Sequence, residues 1–145
     1  MTTITKKPSK ALLKKTQKIL QKSHDTIEAI GFDIEKYGDL DNYKRLIGPA
    51  CIIGTTRAMC GIDPNPCVSA AAAYGPELPL VLEYLDKAAL KTKIGKETSK
   101  KRKFVEYDDA GSIAEHIGLN NAATKRWGLT VFRIALRMVA KDLEN

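Results

Sequence analysis

Gly48-Pro49-Ala50-Cys51-Ile52-Ile53-Gly54-Thr55-Thr56-Arg57-Ala58-Met59-Cys60-Gly61 decides how the chain is read, because it is its most apolar helical stretch and carries small residues on several sides. Pro49 suits the first helical position, where a missing N–H costs nothing, and Gly61 suits a left-handed stop. Arg57 is the one charged residue between them. A helix apolar on nearly every side must be surrounded by other elements. Ala50, Gly54 and Ala58, four residues apart, leave room for a neighbour's backbone. The expectation is an all-α protein, a single compact bundle of five or six helices around a central buried helix at about 49–60.

Helical patterns continue on both sides. Pro8-Ser9 opens a long amphipathic helix with Leu12, Thr16, Ile19, Leu20, Ser23, Ile27 and Ile30 on one stripe, ended by Gly31. His24 within it reads as a surface or boundary residue. Residues 32–47 mix aromatic and acidic side chains around Gly38, as an irregular loop or a loop with one short helix. Asp39 and Asp41 there lack the spaced oxygen ligands and distal glutamate of a calcium loop. Asn65 and Pro66 can start a short helix over 67–74. Leu78, Val81, Leu82, Leu85, Ala88 and Ala89 then give a clear stripe, with Pro79 tolerated in the first turn. Two further patterns follow, Ser112 to Ile117 and about Ala122 to Leu143, the second with Trp127, Val131, Ile134, Ala135, Met138 and Val139 on its stripe.

Among 145 residues, one domain's worth, the formal charge is +7, and its distribution is uneven. Residues 1–22 hold seven lysines and no acid; residues 91–103 hold seven basic groups against Glu97; the remainder is acidic. A basic N-terminal helix and a Lys-rich segment at 91–103, read as an exposed loop for want of periodicity, thus sit on an acidic body. If they meet they form an electropositive patch; if not, they are two solvated lysine runs.

The chain shows no signal-peptide pattern and no apolar run of membrane-spanning length, so a cytoplasmic protein that does not enter a membrane is expected. Cys51, Cys60 and Cys67 fit packed, reduced thiols. Their spacing matches no zinc motif, and no phosphate-cradling glycine loop is present, so no metal or cofactor is expected. Nucleophilic catalysis would need a cysteine or serine beside a histidine base; Cys51 or Cys60 with His24 or His116 is conceivable in space, with no local pattern behind it.

Ser112 to Trp127 resembles a helix-turn-helix: Ala114 matches the small residue at the helix crossing, and Gly118 the turn. The resemblance implies groove-facing roles for Asn120, Asn121, Lys125 and Arg126, with Asn suited to adenine and Arg to guanine. Thr124 stands where that motif has a buried Val or Ile, and the second helix runs on far beyond a recognition helix. The same residues also read as two packed helices with an Asn-capped turn, since Asn120 or Asn121 is a good N-cap and Gly118 a good helix stop.

A second resemblance spans about 100 residues. The first amphipathic helix, the 48–61 segment with Cys51 and Gly54 matching a Cys-x-x-Gly element, the leucine-rich helix, and Leu119-Asn120-Asn121, which partly matches a Trp-Asn-Asp element, are similar to an uncharacterised family of small helical domains of actinobacteria and their phages. It implies no catalytic residue. The functional expectation is a small non-enzymatic binding or accessory protein, of phage or mobile-element type. It would act on a protein or nucleic-acid partner through its basic segments, with Lys100, Lys101, Arg102 and Lys103 beside the four turn residues as contacts. The alternatives are a helix-turn-helix DNA-binding protein and a small hydrolase without a sequence signature. A homo-oligomer is expected if the final helix leaves its apolar stripe uncovered.

Overall fold

A computed structural model describes residues 8–33, 36–64, 77–102 and 125–145. Within them the protein is an all-α bundle of five helices: α1 Lys10–Ile30, α2 Ile52–Met59, α3 Glu77–Ala89, α4 Lys93–Arg102 and α5 Lys125–Leu143. The helical patterns at 67–74 and 112–117 lie outside the described residues, as does Cys67.

α1 starts where Ser9 accepts a hydrogen bond from the Leu12 amide, an N-cap that satisfies one of the four amides a helix leaves unpaired. It ends at Gly31, whose φ of 101° is open to glycine at little cost. Its buried stripe is Leu13, Thr16, Leu20, Ser23, His24 and Ile27. The face is therefore rotated slightly from the expected one: Ile30 lies 40% exposed, and His24 is buried rather than at the surface.

The decisive stretch forms a helix three residues later than expected. Pro49 and Ala50 stay outside the helix: Ala50 bridges Phe32, and its carbonyl accepts from the Asp33 amide at 3.2 Å. The N-cap is Cys51, whose Sγ accepts from the Gly54 amide at 3.3 Å, so this thiol is more than a packed apolar group. Gly61 does stop the helix, at φ 79°. The Ile62 amide reaches back to the Arg57 carbonyl and the Gly61 amide to that of Ala58, the paired bonds of a Schellman motif. Every residue from Ile52 to Ala58 is buried, Arg57 included. Its Nε donates to the Asp63 carbonyl at 2.8 Å, as a buried guanidinium requires. The close approach expected at Gly54 exists, but a loop makes it: a Cβ there would lie 1.7 Å from the Tyr37 carbonyl oxygen.

α1, α3 and α5 pack on one another, and α2 packs on α1 and α3. On α5, Trp127, Val131, Phe132, Ala135 and Val139 are buried within the chain itself. Ile134 and Met138 of the same stripe are half-buried. The hydroxyl of Tyr84 donates to the Asp142 carboxylate near one end of the α3–α5 contact, and Trp127 bonds Thr92 at the other, so α3 and α5 run antiparallel. Burial first, and then the Asp142 carboxylate, push the Tyr84 hydroxyl well above the usual phenol range. Among the described residues no helix is long and apolar enough to cross a membrane.

The segment 91–103, expected as a loop, is helical from Lys93 to Arg102. Lysine is a good helix former, and Thr92 supplies a cap by accepting from the Gly95 amide at 3.0 Å. Gly95 is there because α4 crosses tightly over the end of α3: a Cβ would stand 1.9 Å from the Ala89 carbonyl oxygen.

Candidate functional site

The helix ends determine where the charges go. At the start of α3, Glu77 faces Lys15 of α1 at 3.7 Å. At its far end, about 18 Å away at 1.5 Å per residue, lie Lys91 and the start of α4. The lysines of α1 up to Lys15 thus belong to the end of the bundle opposite Lys91 and Lys93. Among the described residues, the lysines of α1 up to Lys15 therefore do not join Lys91 and Lys93 in one patch where α4 begins.

A different set of cations meets there. The Trp127 Nε1–H donates to Thr92 Oγ1 at 3.1 Å, joining the first turn of α5 to the first turn of α4. Lys125 Nζ donates to the Glu28 carbonyl at 3.1 Å, so the end of α1 arrives at the same place. Ammonium at a helix C-terminus complements the partial negative charge of the last carbonyls. Lys91, Lys93, Lys96, Lys125 and Arg126 are all exposed on this end. Glu28 is offset by Arg133 at 3.8 Å, while Glu97 remains exposed on α4.

The connection from α1 to α2 leaves and rejoins the bundle at this end, at the Phe32–Ala50 bridge. Ile52, just beyond, sits 3.7 Å from where a Cβ on Gly128 of α5 would be. The tip of the connection is ordered around Asp41. Its Oδ1 accepts from the Tyr43 and Arg45 amides at 2.8 and 2.9 Å, and its Oδ2 from Arg45 Nε at 3.1 Å. These bonds, the backbone bond from Arg45 first among them, hold the Asp41 carboxyl below the usual carboxylate range. The carboxylate that suggested a calcium loop is thus occupied by its own loop.

Of the expected contacts, Lys125 and Arg126 are exposed at the start of α5, though the ammonium of Lys125 is directed to α1. Lys100, Lys101 and Arg102 fall in the last turn of α4, with their side chains outside the described residues. Asn120, Asn121 and Lys103 lie outside them altogether, with the helix-turn-helix pattern before Lys125. Sequence reasoning missed Lys44, Arg45 and Tyr43. The available signal was Asp41 followed two and four residues on by amides it could accept from, the pattern of an Asx turn.

Other chemistry-bearing groups are spread out. His24 Nδ1 lies 3.0 Å from Asp25 Oδ1, which lowers the Asp25 pKa, and His24 Nε2 is buried without a hydrogen-bond partner. His24, Asp25 and Glu28 bring one potential ligand atom each within 4.8 Å, with the two carboxylates exposed. An open cleft of about 560 Å³ is lined by Lys36–Leu40 and by Asp63 and Pro64. Burial first, and the nearby Glu77 charge second, push the Cys60 thiol up to about 11, against a small opposing effect of Arg57. That is the reverse of what activates a thiol nucleophile. No protein-family model, no curated protein and no solved structure matches the chain, so any functional reading rests on these residues.

Proposed function

We propose that the protein is a small non-catalytic binding protein that engages the phosphates of a nucleic acid through the end of the bundle where α4 and α5 begin. The observation that carries this reading is the Thr92–Trp127 bond, which holds Lys91, Lys93 and Lys96 beside Lys125 and Arg126. Phosphate contacts by exposed lysine and arginine need no precise geometry, only a concentration of positive charge.

A helix-turn-helix reader of duplex DNA is the second reading, supported by exposed Arg126 in the first turn of α5. Lys125 supports it less, since its ammonium donates to α1. Affinity for a nucleic acid measured against salt tests both. A steep fall of affinity with salt is expected, with a slope reduced by roughly one for each contacting cation removed, in Lys93→Ala, Lys96→Ala and Arg126→Ala. Absent or salt-independent binding overturns the proposal. Equal losses across unrelated sequences favour phosphate binding, whereas loss confined to one sequence in Arg126→Ala favours groove reading.

A further inference from the structure

We infer that Tyr43, backed by Arg45 at the tip of the α1–α2 connection, is a stacking platform for an unpaired nucleobase, which makes single-stranded nucleic acid the preferred partner. The inference rests on the nucleic-acid reading above and adds to it which form is bound. Tyr43 is 79% exposed, more than the other exposed large apolar side chains at Ile30, Ile47 and Leu90. An isolated exposed tyrosine on a slack loop would mean little, but this loop is fixed. Asp41 accepts from both the Tyr43 and Arg45 amides, the Asp41 amide donates to the Arg45 carbonyl at 2.8 Å, and the Lys44 amide to the Asp41 carbonyl at 3.0 Å. Below the tip, Leu40 and Leu46 bridge antiparallel and the Ile47 amide donates to the Asp39 carbonyl at 2.9 Å. Lys44 is held at φ 61°, a left-handed conformation that a lysine rarely adopts. A platform ordered in advance loses little freedom when something docks on it.

The chemistry of the tip favours a base over an apolar protein pocket. The Arg45 guanidinium lies over the Tyr43 ring, 5.1 Å from its centre, a cation–π contact. Arg45 is itself tied to Asp41, so the carboxylate's charge is offset inside the loop and Lys44 stays exposed beside the ring. An aromatic face with adjacent cations is what single-strand binders present to a base and its phosphates. A base inside a duplex keeps both faces covered, so stacking selects unpaired ones. The connection that carries the tip is rooted, through the Phe32–Ala50 bridge, at the end of α1 on which Lys125 also converges.

The test is anisotropy with a labelled single strand of about 12 nucleotides and with its duplex, as DNA and as RNA, across salt concentrations. Wild type is expected to bind the single strand more tightly. Tyr43→Ala should weaken that binding by about tenfold and leave the duplex affinity alone, while Tyr43→Phe, which keeps the ring, should bind as wild type does. The side chain is largely exposed, so neither variant threatens the fold. Salt-dependent binding that is equal for strand and duplex, or unmoved by Tyr43→Ala, overturns the platform and leaves the phosphate-binding reading standing. Loss in Tyr43→Phe as severe as in Tyr43→Ala also overturns it, since a hydroxyl contact would then replace stacking. No binding to either form removes both proposals.

Discussion

Trp127 donates its indole N–H to Thr92, and this hydroxyl has no capacity left. Its proton goes to the Ala89 carbonyl at 2.7 Å, while its two lone pairs accept from Gly95 and Trp127. One side chain therefore closes α3, opens α4 and fastens both to α5. Thr92→Val, similar in shape, removes all three bonds. A lost cap costs about 1 kcal/mol, and depriving the buried indole of its acceptor about 1–3 kcal/mol more. A destabilisation of about 2–4 kcal/mol should appear in urea unfolding followed by circular dichroism. Thr92→Ser, which keeps the hydroxyl, should recover most of it.

Gly54→Ala and Gly95→Ala test the two close approaches. In an ordinary helix interior alanine stabilises by about 1 kcal/mol over glycine. Here the new methyl would stand 1.7 Å from the Tyr37 carbonyl oxygen or 1.9 Å from that of Ala89, and overpacking of that kind costs roughly 1–3 kcal/mol or more. The steric cost wins, so both variants should melt below wild type, the opposite of a plain helical glycine.

Cys51 caps α2 through its sulfur. Cys51→Ala should lose about 1 kcal/mol, whereas Cys51→Ser, whose oxygen is a better acceptor, should equal or exceed wild type in thermal melts. A serine variant as weak as the alanine one would show that the packing of the sulfur, rather than the cap, is what counts.

Two groups give opposite dependences on pH. Asp41 titrates below 3.8 in the folded protein, so the bonds it accepts are complete above that value and are lost as pH falls through the folded pKa. Amide chemical shifts of Tyr43 and Arg45 should report a transition below 3.8, absent in Asp41→Asn. Cys60 titrates near 11 rather than 9.0, so stability linked to it is present below 9 and declines as pH rises from 9 toward 11. Its alkylation should stay slow at neutral pH and accelerate only toward that upper value.

Much of the bundle was legible because its helices announce themselves locally. The expected α3 stripe of Leu78, Val81, Leu82, Leu85, Ala88 and Ala89 is buried throughout, and the stops at Gly31 and Gly61 both have positive φ. What stayed hidden depends on partners distant in sequence. Pro49 could not be seen to stay outside the helix, because Phe32, distant in sequence, holds Ala50. Thr92 drew no notice within a segment read as a charged loop, since its third bond comes from Trp127, 35 residues away. The basic residues were visible at once, but which of them meet depended on the antiparallel course of α3 and α5. Asp41 was visible as an acidic residue in a turn without a calcium loop's ligand set, but that the Tyr43 and Arg45 amides occupy its oxygens is an Asx-turn pattern that went unread.

The sequence has a single tryptophan, and it sits at the junction of the three helices that meet on the basic end. Its indole is therefore a built-in spectroscopic reporter, with no second emitter of its kind to confuse the signal. Because its N–H is held by Thr92, a ligand that pulls on α4 would change the polarity and rigidity around the ring, shifting or quenching its emission. Occupancy of that end can be followed in the unlabelled protein, and a titration that leaves the emission untouched would mean that the α3–α4 corner does not move when the partner arrives.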